Sequence, residues 1–278
     1  MMRIDSHQHF WRYEPAQYPW IRADWPLRRD FLPEDLAPLL RTAKLDACVA
    51  VQARPSVEET RWLLGLAAEH SFIKGVVGWV DLRSENLTEQ LTAFAHDPCF
   101  VGVRHVVQDE PDHNFLLRPQ FVRGIAELRF FDLAYDLLIF PHQLPAAIQL
   151  VRKFPRQRFV LDHVGKPPIK RKELWPWAGH IRQLAQWPNV FCKVSGMVTE
   201  ANWGRWTKTD FTPYLDVVFE AFTPRRIMYG SDWPVCLLSA GYGRVYDLAA
   251  TYCQKLSAAE QERVFGVTAA EFYRQRPG

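Results

Sequence analysis

Short apolar runs alternate along the chain with longer segments of helical period. The first run opens at Met2 and leads into Asp5-Ser6-His7-Gln8-His9. Further runs cover Ala47 to Gln52, Ile73 to Val80, Phe100 to Val107, Asp132 to Phe140, Arg158 to His163, Val190 to Ser195 and Ile227 to Asp232. The third is almost continuously apolar, as strands covered on both faces are. Between the runs lie helical segments: Glu34–Lys44, opened by Pro33 in the position proline favours, then Glu58–His70, Leu87–His96, Pro119–Arg129, Gln143–Phe154, Trp175–Gln186 and one ending at Phe222. In Glu58–His70 the residues Trp62, Leu63 and Leu66 share one side. From about residue 244 the pattern is helical only. Two stretches read as long loops, Tyr13 to Leu32 and Gly196 to Asp210. No repeat, linker or low-complexity segment interrupts the pattern, so 1–278 reads as a single domain. Eight strands alternating with helices predict an α/β fold, a single (β/α)8 TIM-type barrel. The other arrangement, an open doubly wound sheet, usually carries a glycine-rich turn after its first strand. Here that place holds His7-Gln8-His9.

Composition narrows the partners. Of 278 residues, 48% are hydrophobic and 23% charged, which suits a globular chain with one large core. Lys+Arg number 34 against 31 Asp+Glu, and the basic residues are scattered in short pairs, so the dense basic face of a nucleic-acid binder is missing. The five cysteines, at 48, 99, 192, 236 and 253, are odd in number and form no Cys-x-x-Cys, which points to a reducing compartment. The N-terminus shows no basic-then-apolar leader, and no apolar run approaches a membrane span. The expectation is a cytoplasmic protein acting on a small molecule, with neither nucleic acid nor membrane as partner. The oligomeric state is left open.

The candidate chemistry collects at strand ends. His7 and His9 stand two residues apart, and in a strand such positions share a face. Two imidazoles side by side can ligate one metal ion or donate to one substrate oxygen. In a barrel of this kind the site lies at the C-terminal ends of the strands. There the sequence places Gln52, Arg104, His105, His163, Ser195 and Asp232 as well. Each has a plainer reading: His163 bonded to loop carbonyls, Asp232 capping the next helix, Arg104 in an internal salt bridge with Asp81 or Asp136. Ser195 lacks the Gly-x-Ser-x-Gly surroundings of an esterase nucleophile. His70 and His96 end helices, His180 lies on a surface-like helix, and His113 and His142 lie in loops, His142 being the nearest of these to a strand end.

Three motifs taken together carry a resemblance. Asp5-Ser6-His7-Gln8-His9-Phe10-Trp11, Leu161-Asp162-His163-Val164-Gly165-Lys166-Pro167 and Tyr229-Gly230-Ser231-Asp232-Trp233-Pro234 resemble the amidohydrolase superfamily, in its "amidohydrolase 2" branch. That branch includes sugar-acid lactonases of the L-fuconolactonase and L-rhamnonolactonase type, with decarboxylases as more distant relatives. Val101-Gly102-Val103-Arg104-His105, Asp136-Leu137-Leu138, Pro141-His142-Gln143-Leu144-Pro145 and Lys193-Val194-Ser195-Gly196 fit the lactonase pattern too. The resemblance implies that His7, His9, His163 and Asp232 are the metal ligands. The superfamily's strand-four lysine or carboxylate is absent, with Arg104-His105 in its place, and Asp136 stands on the strand that usually supplies another histidine. A single divalent ion, zinc by preference, is therefore implied at most. Some relatives of the branch use none.

The expected reaction is hydrolysis of an aldonolactone to the open-chain acid. Asp232 would take the proton from water. The carbonyl would be polarised by one metal ion or directly by His7, His9 and His105, with His163 also in the catalytic set. Arg104, Gln52, Trp11 and Trp203 would contact substrate, the tryptophans, Trp206 among them, offering aromatic faces to the sugar ring. The rival enzyme reading is a metal-dependent nonoxidative decarboxylase. The rival from another class is a non-catalytic carbohydrate- or metal-binding barrel.

Overall fold

A computed structural model describes residues 1–274; the last four residues of the expected domain lie outside the described ones. Eight parallel strands follow one another around a single sheet: β1 (Ile4–Gln8), β2 (Ala47–Val51), β3 (Ile73–Gly78), β4 (Phe100–His105), β5 (Ala134–Leu137), β6 (Phe159–Leu161), β7 (Val190–Val194) and β8 (Ile227–Tyr229). The sheet closes between β8 and β1. Ser6 Oγ donates to the Tyr229 carbonyl, Asp232 N–H to the His7 carbonyl at 2.8 Å and His9 N–H to the Trp233 carbonyl at 2.7 Å. Helices α1 (Pro33–Ala43), α2 (Val57–Glu69), α3 (Leu87–Phe94), α4 (Pro119–Leu128), α5 (Leu144–Lys153), α6 (Trp177–Ala185), α7 (Thr212–Phe222) and α8 (Tyr242–Cys253) form the outer layer. Three helix boundaries show a local cause. Pro33 occupies the first helical position of α1, where its missing N–H costs nothing, and Lys44 closes that helix in the left-handed conformation. Ser56 Oγ accepts the Glu59 N–H at the start of α2. No helix among the described residues is long and apolar enough to cross a membrane.

Most strands stop sooner than their apolar runs suggest. The run to His163 leaves the ladder at Leu161, and the run to Asp232 leaves it at Tyr229. Beyond these points the chain turns: His163, Val164 and Asp232 all have positive φ (56°, 49° and 57°). For a β-branched residue such as Val164 this backbone is strained, and strain of this kind persists only where surrounding contacts hold it. Here Trp177 Nε1 donates to the Val164 carbonyl at 2.9 Å and Lys166 N–H to the His163 carbonyl at 2.8 Å.

The core has two parts. The larger lies between sheet and helices. The smaller fills the N-terminal end of the barrel, where Ile4, Ala47, Val49, Val51, Val77, Val101, Ala134, Val160 and Met228 meet Ala269, Phe272 and Tyr273. The last three come from α10 (Thr268–Phe272) and the residue after it, reached through α9 (Ala258–Glu262) and a π-turn at Arg263–Val267. The all-helical end of the sequence is therefore the plug of the barrel. Gly266 sits so close to the N-terminus that a Cβ there would lie 2.1 Å from the Met2 carbonyl oxygen, which seats the plug against β1.

Two predictions come from this scaffold. Phe272 is buried at the plug, so Phe272→Ala should cost about 3–5 kcal/mol, read as a lowered thermal midpoint or denaturant midpoint. Glu59 in α2 accepts from Ala53 N–H (2.9 Å), Arg54 N–H (3.0 Å) and Tyr18 Oη (3.1 Å), tying the loop after β2 to the loop after β1. Burial, opposed by those amides and by Arg54, raises its pKa to about 7. The folded state therefore holds this proton more tightly than the unfolded chain. The resulting stability is complete below the ordinary Glu range and is lost as pH rises through about 7. The difference is on the order of 3 kcal/mol. Glu59→Gln should abolish this slope, so the variant should gain stability relative to wild type between pH 5 and pH 8 in urea unfolding. Parallel pH dependences would contradict the assignment.

Candidate active site

The side chains at the C-terminal strand ends converge. Ile4 points into the barrel and so does His7, three residues on, which strict alternation forbids. A register irregularity in β1 between Asp5 and Gln8 supplies the extra residue, as bulges do beside active sites. Asp5 pins the irregular segment by accepting from His7 N–H, Ser231 N–H and Tyr242 Oη, so β1 and the turn after β8 share one anchor. His9 follows one residue past the strand. Its Nδ1 lies 2.8 Å from the Val51 carbonyl, and a carbonyl only accepts, so Nδ1 carries a proton. His9 Nε2 faces Asp232 Oδ1 at 3.3 Å. His7 Nε2 and His163 Nε2 each lie 3.9 Å from the same oxygen. Ser195 Oγ meets His163 Nδ1 at 2.9 Å and so orients that ring. The Asp232 carboxylate makes none of the bonds of a helix cap, and only its backbone carbonyl receives the Cys236 N–H.

Beneath these groups lies a buried charge network. Arg104 Nη1 donates to Asp162 Oδ2 at 3.1 Å and points at His7 Nε2 at 3.3 Å. Its other edge bonds Gln52, through Nε to Oε1 at 3.0 Å and through Nη2 to Oε1 and the carbonyl. Lys193 Nζ lies 2.5 Å from Asp136 Oδ2, 3.1 Å from Asp162 Oδ1 and 3.1 Å from His7 Nδ1. Tyr273 Oη donates to Asp136. Burial alone would raise Asp162, but Lys193, His7 and Arg104 hold it well below the usual carboxylate range. Burial raises Asp136 against the pull of Lys193. Burial also depresses His7 and His163 against the opposing charges of Asp162 and Asp232, so both are neutral imidazoles near pH 7. For Asp232 burial is outweighed by His163 and His9, and its carboxyl is lowered into the ionised state.

Above the cluster opens a cavity of about 550 Å³. Its floor includes His9, Arg104, His163 and Asp232, and its walls include Trp20, Trp25, His105, Gln108, Asp109, Glu110, Lys166, Glu200 and Trp203. Trp25 and Trp203 come from different loops and meet edge to face at 5.9 Å. The plan read from the sequence needs four corrections. Trp11 is fully buried: its Nε1 donates to the Arg29 carbonyl and its ring packs on Phe31, Tyr18 and Trp20, because the loop after β1 folds back over it. Trp206 is likewise buried, held by Ser239 and under the Arg244 guanidinium. Gln52 is wholly buried and serves Arg104. His105 does line the cavity, but Trp79 Nε1 donates to its Nδ1 at 3.2 Å and its Nε2 faces Glu110 at 2.8 Å, while Phe115 stacks on its face. With Nδ1 accepting from Trp79 and Nε2 engaged by Glu110, His105 has no N–H left to polarise a lactone carbonyl. His142 stacks on His113 and Phe140 and takes no part in lining the cavity.

Sequence reasoning missed Asp162, Lys193 and the wall residues Trp20, Trp25, Lys166 and Glu200. A lysine inside the apolar run Val190-Phe191-Cys192-Lys193-Val194 was the available signal, since a charge on an inward strand position must find a partner. The wall residues lie on irregular loops, where periodicity is silent.

Comparison with known proteins shows the family and the fold. The family model described as Amidohydrolase matches residues 4–275. An L-fucono-1,5-lactonase of Burkholderia multivorans is 43% identical over 98% of this chain and 96% of its own length. A second L-fucono-1,5-lactonase, from Burkholderia ambifaria, is 38% identical over 98% of this chain and 95% of its own. A crystal structure of an amidohydrolase from Burkholderia multivorans with bound zinc superposes with a TM-score of 0.95 at 44% identity, over 99% of this chain and 100% of that one.

Proposed function

The chain belongs to the amidohydrolase family, and on that footing we propose that it hydrolyses the lactone of a sugar acid to the open-chain acid. The observation that carries this reading is the meeting of an ionised, buried Asp232 with His9 and His163 at the floor of a cavity sized for a small ring, in a chain so close to two lactonases. Asp232 takes a proton from water as the water attacks the lactone carbonyl. The charge growing on the carbonyl oxygen faces Arg104, which borders the cavity, with His7 buried behind it. When the tetrahedral intermediate collapses, the ring C–O bond breaks and the leaving oxygen receives the proton held by Asp232. Gln108, Asp109 and Glu110 supply hydrogen-bond partners for sugar hydroxyls along one wall, and Trp25 and Trp203 an apolar surface along another.

The donor set fits one divalent cation. The Val51 carbonyl takes His9 Nδ1, which leaves Nε2 to face the Asp232 carboxylate oxygen at 3.3 Å, a nitrogen and an oxygen that one cation could share. His9 and Asp232 would hold it, with His7 or His163 as the further donor. Such an ion, zinc by its liking for imidazole and carboxylate, would add Lewis-acid polarisation of the carbonyl. The decarboxylase reading is weaker, because the cations at the cavity are already engaged, Arg104 by Asp162 and Lys166 by Glu200, leaving poor purchase for a substrate carboxylate. Five free cysteines suit a reducing compartment, and the reaction is assigned to the cytoplasm.

A screen of aldonolactones with a pH indicator tests the activity: ring opening above the spontaneous rate supports it, and a uniformly blank screen overturns it. Asp232→Asn should lower kcat by about 10²- to 10⁴-fold with little change in KM, since the lost interaction belongs to the transition state. Near-normal kcat in a folded variant would remove Asp232 from the base role. Equilibrium dialysis against zinc should reach one equivalent at most, and His9→Ala should abolish it. A second tight equivalent would contradict the single-ion reading.

A further inference from the structure

The loops after β6 and β7 carry two charged side chains to which the reaction above gives no work, Lys166 and Glu200. Both line the cavity. Their placement follows from His163. Gly196, at φ 58°, closes on the His163 ring so tightly that a Cβ there would lie 2.4 Å from Nδ1. Only glycine suits both that backbone and that contact. Four residues on, the Glu200 backbone is held on both sides: its N–H donates to the Met197 carbonyl at 3.1 Å, and its carbonyl accepts from Lys170 N–H at 2.9 Å. Lys166 N–H donates to the His163 carbonyl at 2.8 Å. The two side chains thus hang from segments anchored on one histidine. Burial raises the Glu200 carboxyl, Lys166 opposes the rise, and the nearby Asp232 charge adds to it.

The pair is neutral as a whole and unsatisfied in detail. Lys166 Nζ stands 3.7 Å from Glu200 Oε1, longer than a hydrogen bond, with the side chains 14% and 22% exposed. The Thr199 hydroxyl beside Glu200 donates instead to the Gly196 carbonyl at 2.7 Å, and Lys166 Nζ otherwise lies over the Phe140 ring, 5.2 Å from its centroid. An ammonium offers donors only and a carboxylate acceptors only. A hydroxyl set beside both completes both, giving its proton to the carboxylate while its oxygen accepts from the ammonium. Trp203, three residues after Glu200, is 41% exposed and spends its N–H on the Thr199 carbonyl at 2.8 Å. Its ring is therefore fixed next to the polar pair, as an apolar neighbour for the C–H face of a sugar ring.

We propose that Lys166 and Glu200 form a specificity-determining subsite for one hydroxyl of the lactone, which donates to Glu200 and accepts from Lys166 with a C–H face of the ring toward Trp203. The class selected is an uncharged, polyhydroxylated lactone. An analogue with hydrogen in place of that hydroxyl leaves both charged ends unpaired once substrate has displaced water. The subsite rests on the lactonase reading and deepens it.

The test takes the aldonolactone that the wild-type enzyme opens fastest and its monodeoxy analogues, each lacking one hydroxyl. At least one analogue should show a kcat/KM about 10- to 100-fold below the parent, the range of a hydrogen bond to a charged group. Glu200→Ala should raise KM for the parent by about that factor with little change in kcat, because the contact is remote from the bond that breaks. It should leave the constants for that analogue near their wild-type values. Glu200→Gln, which keeps the volume and one acceptor, should fall between the two, and Lys166→Met should compress the ratio between the same two substrates. A purely structural role would slow the parent and every analogue alike, and that result overturns the proposal. So does a wild type that opens every monodeoxy analogue as fast as the parent, a measurement that needs no variant to fold. A wild type inert toward every lactone overturns the lactonase reading and the subsite with it, whereas lactone opening with equal losses on all substrates in Glu200→Ala overturns the subsite alone.

Discussion

Two cations and two anions share the dry interior of this barrel, and the site stands on their balance. Arg104 and Lys193 face Asp162 and Asp136, all four almost without solvent exposure. Removing any one would leave a buried charge uncompensated, a cost of several kcal/mol in comparable settings. The network is therefore weak as a source of net stability and strong as a constraint on geometry. Asp162 is its junction: it accepts from Arg104 on one oxygen and faces Lys193 and His7 with the other. The side chains above inherit their positions from that junction.

The second constraint is where strands end. A strand carried one turn further would leave His163 and Asp232 in the ladder, their side chains alternating with the fold and not aimed at one point. Leaving the ladder at Leu161 and Tyr229 frees both backbones to adopt positive φ, which swings the side chains over the barrel mouth. The strain is held by local bonds, from Trp177 to Val164 and from Asp232 N–H to the His7 carbonyl. That last bond also closes the barrel, so closure of the sheet and placement of the proposed base are one event.

Much of the outline was legible beforehand. Eight apolar runs separated by helical periods specified the barrel, because burial on both sides of a parallel sheet writes itself into sequence as unbroken apolar stretches. His7, His9, His163 and Asp232 were identifiable because the fold rule places function at strand ends and polar residues there need a reason. The tryptophans were not separable in this way. Trp11, Trp203 and Trp206 all sit on loops beside strand ends, yet only Trp203 lines the cavity. An aromatic residue suits a core and a sugar face equally, and the path of an irregular loop has no period to read.

The sequence by itself determined the number and order of the elements, the face on which chemistry would gather and the residue types able to perform it, since these depend on local periodicity and on which side chains carry lone pairs and protons. Only the tertiary structure decided which groups are paired. The pairing of β1 with β2 that leaves one extra residue and turns His7 inward, the bond from Trp79 to His105, and the seating of Lys193 between Asp136 and Asp162 all depend on partners distant in the chain. Hydrogen bonds and ion pairs act over about 3 Å. Distances of that order between residues 7, 136, 162 and 193 exist only once the barrel has closed around them.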